Sequence, residues 1–337
     1  MVMIEFGNVN GAPVFEVTIR NKSGAEAKIL SWGAVLRDFH VPWKGQQQRV
    51  VLGLDRLEDY IAYSSHLGAV AGRFANRIRD GRFSINRMPY QLERNFLGKH
   101  SLHGGASGFG QRLWNLADFD TNSVTLTLFS ADGDGGFPGN LSVTCRYILT
   151  EQATIRTELT ATTDASTIIN LALHSYFNLD GSDDILDHEL MLPADFISSL
   201  DHELIPTGEV KHVSGTAYDF RVMRPIKMQG SDTRHFAYDQ NFILRTAGPD
   251  LRHAATVFSP KNELSMQVFT TEPCIQFYDA VNLDLPITEL SGRALKPHSG
   301  FCLEPQTAPN GPNIAHFPSP ILRPEQIYRQ ITEYRFG

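Results

Sequence analysis

Apolar and polar residues alternate from one end of this chain to the other, and that period of two limits the possible folds more than any other feature. In PVFEVTIRN (13–21), Phe15, Val17 and Ile19 share one face while Glu16, Thr18 and Arg20 share the other, the pattern of a half-buried strand. SVTLTLF (123–129) repeats it with Val124, Leu126 and Leu128. Two alternating runs, 141–149 and 155–161, flank the polar break 150–152 and predict a hairpin. AATVFSPKNELSMQVFTT (254–271) predicts another, turning at 259–262.

Helical periodicity is scarce. DRLEDY (55–60) has a capping-box arrangement, Glu58 lying three residues after Asp55, but supports only a turn or two. Strands punctuated by Gly, Pro and Asn turns, without helices between them, predict an all-β fold of antiparallel sheets stacked as a large sandwich rather than βαβ units. At 337 residues the chain could hold two average domains. No linker or low-complexity stretch divides it, however, and all-β units run long, so residues 1–337 are expected to form one domain.

Composition narrows the partners. A 42% hydrophobic content with 21 Phe and 10 Tyr supplies a large core. The net charge of -7 arises from interspersed acids with no Lys/Arg stripe, which argues against nucleic acid and for a neutral small molecule. No 18 apolar residues run together and the N-terminus lacks a basic-then-apolar signal, so neither a membrane span nor export is expected, and the cytoplasm is the default location. Cys145, Cys274 and Cys302 are odd in number, lack CxxC spacing and read as free buried thiols. Cys302 is also a candidate nucleophile, although no adjacent cation in sequence would lower its pKa.

Cofactor signatures are missing: GASGFG (105–110) has the wrong spacing for a dinucleotide fingerprint, and neither GxxxxGK[ST] nor GxSxG occurs. The twelve histidines are scattered, the closest pair being His100 and His103, with no HExxH or Cys/His cluster. No metal and no cofactor are expected.

Several segments interrupt structural patterns with a polar side chain. In GFCLEPQTAPNGPN (300–313), Glu304 stands between an apolar run and a turn-rich loop, either a surface turn or a strand end delivering a part-buried base to a cleft. In NLALHSYFNLDG (170–181), His174 faces opposite Leu171 and Leu173, as a histidine satisfied by a backbone carbonyl or as a proton donor near neutral pH. GRFANRI (72–78) carries Arg73, Asn76 and Arg77, a solvated turn or a set of donors for sugar hydroxyls. LHGG (102–105) is a plain loop or a place where backbone approaches a ligand beside His103. Asp239 of AYDQNFIL (237–244) either caps a turn or accepts from vicinal hydroxyls. In EPCIQFYDA (272–280), Gln276 and Tyr278 point together, opposite Ile275 and Phe277, toward core or cleft.

Read in order, WGAVL (32–36), VVLGLDRLEDY (50–60), GRFANRI, LHGG followed by GF and Trp114, GFPGNL (136–141), HSYFNL (174–179), YDFR (218–221), YDQNF (238–242), QFY (276–278), LEPQ (303–306) with PN, FPSPILRP (317–324) and YRF (334–336) resemble the aldose 1-epimerase family, the galactose mutarotases, over nearly the whole chain. The resemblance implies a galactose mutarotase-like β-supersandwich with an open cleft. It also implies an isomerase that interconverts the α and β anomers of a free monosaccharide such as galactose or glucose, as a monomer or weak homodimer. By the same resemblance Glu304 is the general base and His174 the general acid. Arg77, His103 and Asp239 anchor the substrate, while Asn76 and Gln276 border the pocket.

The implied chemistry asks for an ionised Glu304 and a substantially protonated His174 on opposite sides of the hemiacetal bond, with proximity favouring both charges. Rival readings are a non-catalytic sugar-binding protein, a related hexose-phosphate epimerase, and a glycoside hydrolase using Glu304 and Asp239 at roughly 5 to 9.5 Å separation. Departures from the family pattern are Ala172 and Leu173 (commonly Thr-Asn), Gln240 and Thr307 (each commonly His), and His66-Leu67 (commonly aromatic). As pocket-wall residues these are expected to act on substrate choice.

Overall fold

The alternating runs become strands of three large antiparallel sheets in the computed structural model of the protein, which describes residues 2–63, 66–228, 236–245, 248 and 250–337. The first sheet is a meander in chain order: Val2–Val9, Ala12–Arg20, Glu26–Leu30, Leu36–Trp43 and Gln46–Arg49. The second has nine strands and takes the C-terminal strand, Tyr328–Phe336, into its middle, between Thr154–Thr163 and Ser265–Thr270. The third, of five strands, runs Pro206–His212, Phe196–Leu200, Asp239–Ile243, Cys274–Tyr278 and Cys302–Gln306.

Both expected hairpins form. Leu141–Thr150 pairs with Thr154–Thr163 in continuous register from Leu141↔Thr163 to Thr150↔Thr154, and Arg252–Phe258 pairs with Ser265–Thr270. Along the first of these, Leu141, Val143, Cys145, Tyr147 and Leu149 are all buried while their neighbours are not, the signature of a sheet with one face on the core. Apolar side chains from all three sheets, among them Phe39, Tyr147, Val257, Phe277 and Leu303, join in one contiguous cluster. Each fully buried aliphatic side chain of this kind stabilises by about 1.5–3 kcal/mol. The one α-helix among the described residues is Leu57–Tyr63, as short as its sequence indicates. Among those residues no helix is long and apolar enough to cross a membrane.

The strand Ala12–Arg20 departs from the half-buried expectation, because Glu16 and Thr18 are buried along with Val17 and Ile19. Its second face is covered by Leu54, Leu57 and Tyr60, which cluster with Val14, and Glu16 is reconciled to burial by Arg37, whose Nη1 donates to Glu16 Oε2 at 2.6 Å. Alternation announces that the two faces differ; it does not say that the polar one is open to water.

Two hydrogen bonds fix the strand that carries Glu304 to the nine-stranded sheet. Tyr334 Oη donates to the Leu303 carbonyl at 2.9 Å, and Gln330 Nε2 donates to the Pro305 carbonyl at 2.8 Å. Leu303 and Pro305 thereby lie against the core, and the alternate residues Cys302, Glu304 and Gln306 face the other way.

Candidate active site

The face of the third sheet turned away from the main core is polar by register. Asp239 stands opposite Tyr278 and Tyr278 opposite Cys302, while Asn241 stands opposite Gln276 and Gln276 opposite Glu304. Directly opposed residues share a face, so this side of three adjacent strands gathers acids, amides, a phenol and a thiol, and Phe242, Ile275, Phe277 and Leu303 take the core side.

Loops from the other end of the chain complete a cleft over this face. His174 follows the short strand Ala172–Leu173, and its backbone is tied on both sides: its N–H donates to the Ala69 carbonyl at 2.9 Å and its carbonyl accepts from Gly68 at 2.9 Å. His103 and Asn76 hold each other, His103 N–H donating to the Asn76 carbonyl at 3.0 Å and Asn76 N–H donating to His103 Nδ1 at 3.1 Å. That second bond makes Nδ1 an acceptor, so a neutral His103 carries its proton on Nε2.

All seven residues singled out from the sequence, Asn76, Arg77, His103, His174, Asp239, Gln276 and Glu304, line one cleft of about 220 Å³. That volume lies below the ~300–1,000 Å³ of sites for drug-sized ligands and fits a single small ring. Arg77 Nη2 donates to Asp239 Oδ2 at 2.9 Å and Gln276 Nε2 to Asp239 Oδ1 at 2.6 Å, so both carboxylate oxygens of Asp239 are engaged by protein. The Arg77 guanidinium lies 4.7 Å over the Phe96 ring at the cleft wall. Glu304 Oε2 and Gln276 Oε1 are buried without a hydrogen-bond partner, two polar atoms that a bound hydroxyl would satisfy.

His174 Nε2 lies 3.7 Å from Glu304 Oε1. The two groups are neighbours on one wall and do not sit on opposite sides of the space. Their charges also differ from expectation. Burial pushes the Glu304 carboxyl well above its usual range, Asp239 adds to the rise, and Arg77 opposes it. Burial, with a smaller contribution from nearby His66, holds His174 down to about 3. His103 is held well below its usual value by burial, with His66, His174 and Arg77 contributing. In the free cleft desolvation thus opposes both charges more strongly than mutual attraction favours them, and it shifts the Glu304–His174 pair toward its neutral form with the proton on the carboxyl.

Cys302 Sγ lies 3.5 Å from His174 Nδ1, and burial raises the thiol well above its usual range, Glu304 and Asp239 adding to it. The candidate nucleophile is therefore a thiol whose sulfur can accept from Nδ1–H, which leaves Nε2 as the unprotonated nitrogen facing the Glu304 carboxyl, placed to take up its proton and to give it on. His174, Cys302 and Glu304 each offer one possible metal-ligand atom, all within 4.8 Å of one another. The imidazole turns different nitrogens to the thiol and to the carboxyl, and burial shifts both acids toward their protonated forms, an arrangement better suited to moving a proton than to holding a cation.

Other expectations are corrected. Arg73 is fully buried away from the cleft, its guanidinium donating to the carbonyls of Ser130, Ala131, Pro138 and Gly139. Gly104 is required because a Cβ there would lie 2.0 Å from the Gly72 carbonyl oxygen, a close approach of backbone to backbone rather than to ligand. His100 is buried with Nδ1 accepting from the Asp80 N–H at 2.9 Å. Of the supposed pocket-wall departures, Ala172, Leu173, Gln240 and Thr307 do not line the cleft. Gln240 lies on the core side of its strand, its Nε2 donating to the Ser198 carbonyl at 2.6 Å, and the Thr307 N–H is engaged by Asn170 Oδ1 at 3.0 Å.

Conversely, the cleft is also lined by His66, Phe96, Tyr176 and Tyr278. Alternation put Tyr278 on the same face as Gln276 but left core or cleft open, and the sheet register decides for the cleft; His66 and Phe96 lie in loops, where no periodic signal marks them.

A family model described as Aldose 1-epimerase matches residues 16–335. Aldose 1-epimerase of Haemophilus influenzae is 36% identical to this chain over 339 residues, covering 98% of each. Galactose mutarotase of Bos taurus is 38% identical over 315 residues, covering 92% of this chain and 90% of that protein. Among solved structures, an aldose epimerase homologue from C. elegans has a TM-score of 0.90 at 30% identity, covering 96% of this chain and 98% of that one. Galactose 1-epimerase from Lactobacillus acidophilus has a TM-score of 0.85 at 27% identity, covering 100% and 98%. The large antiparallel sandwich described above is the galactose mutarotase-like fold.

Proposed function

This chain belongs to the aldose 1-epimerase family, and from that premise we propose that it interconverts the α and β anomers of a free monosaccharide, an aldohexose such as galactose or glucose, by opening and reclosing its ring. The observation that carries this reading is the contact of Glu304 with His174, 3.7 Å apart in one cleft, with a carboxyl oxygen left unpartnered beside them.

Anomer exchange takes the proton from the C1 hydroxyl and delivers one to the ring oxygen. Both oxygens are bonded to the same carbon, so base and acid serve best as near neighbours, as here. Glu304 accepts the hydroxyl proton, His174 Nε2–H donates to the ring oxygen, the bond from C1 to that oxygen breaks, and C1 becomes an aldehyde. Rotation about the C1–C2 bond and reclosure on the other face reverse both transfers. Each well-placed transfer contributes typically ~10²–10⁴-fold.

The pair carries one proton throughout. Ring opening consumes its charged form and leaves Glu304 protonated and His174 neutral, the state that burial favours, so discharge of the pair helps the ring to open. Hydrogen bonds from the bound hydroxyls make the charged form accessible beforehand, replacing the solvation that burial removes. His103 Nε2–H, Arg77, Asn76, Asp239 and Gln276 hold the hydroxyls. For a neutral polyol such contacts give modest affinity.

The rival enzymatic readings fit less well. Asp239 has both oxygens engaged by Arg77 and Gln276, which suits an anchor rather than a hydrolytic nucleophile. Arg77 is the one Lys or Arg side chain among the described residues lining the cleft, and it is already paired, so a sugar phosphate would find no free cation. The same reading takes residues 1–337 as one domain working in the cytoplasm without metal or cofactor.

Polarimetry on freshly dissolved pure anomers of galactose, glucose, a pentose and a ketose tests the proposal. Faster approach to equilibrium for at least one sugar is expected. No acceleration for any of them overturns it, and release of an aglycone from a synthetic glycoside would transfer the site to hydrolysis.

A further inference from the structure

We propose that His66 contacts the substrate and sets sugar preference, its Nε2–H donating to one of the two hydroxyls that flank the hemiacetal linkage, at C2 or C6. The inference rests on the reading of the cleft as a monosaccharide site and goes beyond the acid–base pair and its anchors.

Four observations carry it. The His66 ring lines the cleft, its centroid 4.5 Å from that of His103 and 5.9 Å from that of His174, so it borders the groups that act at the anomeric centre. Its placement is tied to the acid: the Ala69 N–H donates to the His66 carbonyl at 3.0 Å, while Ala69 and Gly68 bind the backbone of His174. One nitrogen, Nδ1, is buried without a hydrogen-bond partner, close enough to Gly110 that a Cβ added there would lie 3.4 Å from it. Among the departures from the family pattern, finally, His66 is the one whose side chain reaches the cleft.

The tautomer follows from the third observation. A proton on Nδ1 would strand a buried N–H donor, the rarest kind of unmet group, so the neutral ring carries its proton on Nε2, the nitrogen left to serve the cleft. Burial holds His66 down to about 4, and a second positive charge beside His103 and His174 would be unfavourable. The ring is therefore a fixed, uncharged donor across the neutral range. Because His174 delivers its proton to the ring oxygen, a donor beside His174 meets a substituent on a carbon adjoining the C1–O linkage. Those substituents are the C2 hydroxyl on one side and the C6 hydroxyl on the other.

The test compares wild type, His66→Phe and His66→Gln on a sugar that wild type turns over and on its 2-deoxy and 6-deoxy analogues. KM and kcat come from polarimetry, and binding is measured independently by saturation-transfer NMR. For the parent sugar, Phe is expected to raise KM roughly 3- to 10-fold, the worth of one hydrogen bond, with kcat largely kept. For one deoxysugar, the one lacking the partner hydroxyl, Phe should leave KM unchanged, and Gln, which retains an N–H donor, should recover part of the parent's affinity. Equal KM changes on all three sugars, or none, overturn the assignment. Should Phe fail to fold, the Gln variant decides alone, by whether its KM change differs between the parent and the two deoxysugars. Wild-type turnover is the separate check on the function itself: if wild type neither binds nor turns over any sugar, both proposals fall. If wild type is active and the variants show no sugar-dependent change, only His66 loses its role.

Discussion

Replacing Glu304 by Gln separates the chemical role of the carboxyl from the energetic consequence of burying it. The amide is nearly isosteric, so the contacts of the strand, including the hydrogen bonds from Tyr334 and Gln330, persist. Loss of the base should lower kcat by ~10²–10⁴, about 2.7–5.4 kcal/mol at roughly 1.36 kcal/mol per tenfold, with little change in KM.

Stability should move the other way. The unfolded carboxyl titrates near 4.5, whereas burial keeps the folded one protonated to much higher pH. Between those two values the native protein binds a proton that the unfolded chain has released, so wild-type stability falls as pH rises through the window and is unaffected below it. The slope for one proton is at most about 1.36 kcal/mol per pH unit. For 337 residues an unfolding entropy of roughly 2.1 cal/mol/K per residue gives ~0.7 kcal/mol/K, so the slope corresponds to about 2 °C per pH unit. Calorimetry of wild type and Glu304→Gln from pH 4 to 8 should show the Tm difference growing in favour of the variant from about pH 4.5 upward. A variant with wild-type turnover removes the base assignment. A Tm difference that does not change with pH shows that the folded carboxyl is ionised and refutes the burial argument.

Other perturbations test other parts of the molecule. His174 is held down to about 3 against 6.5 in the unfolded chain, so wild type loses stability as pH falls from 6.5 toward 3; His174→Asn should lose less over that window in acid denaturation, and its kcat should fall by ~10²–10⁴ in polarimetry. Arg37→Met leaves Glu16 buried and unpaired, which should cost about 3–5 kcal/mol in chemical denaturation while KM, set in a cleft that Arg37 does not line, stays unchanged. Gly104→Ala drives a Cβ to 2.0 Å from the Gly72 carbonyl oxygen at a φ of +87, so it should cost about 1–3 kcal/mol of stability and, by displacing neighbouring His103, raise KM measurably by polarimetry.

Much of the site was legible because strands broadcast their faces locally. Period two placed Gln276 and Tyr278 together, and the apolar-to-turn junction around Glu304 left a surface turn or a strand end, between which the pairing of Cys302–Gln306 with Cys274–Tyr278 decides for the strand. The same logic misread Glu16 and Thr18, since alternation cannot show that Leu54, Leu57 and Tyr60 cover the polar face. It also could not show that Gln240 lies on the core side of its strand while Asp239 faces the cleft, nor that His66 and Phe96, in loops without periodicity, reach the cleft at all.

The sequence by itself determined the strands, their hairpins and the chemical types available for catalysis, because those follow from interactions among residues close along the chain. Only the tertiary structure decided that Arg77 meets Asp239 across 162 residues and that Cys302 meets His174 across 128. Burial and neighbouring charge act through space, so the same assembly sets the protonation of Glu304 and His174, a property neither residue has in its local segment.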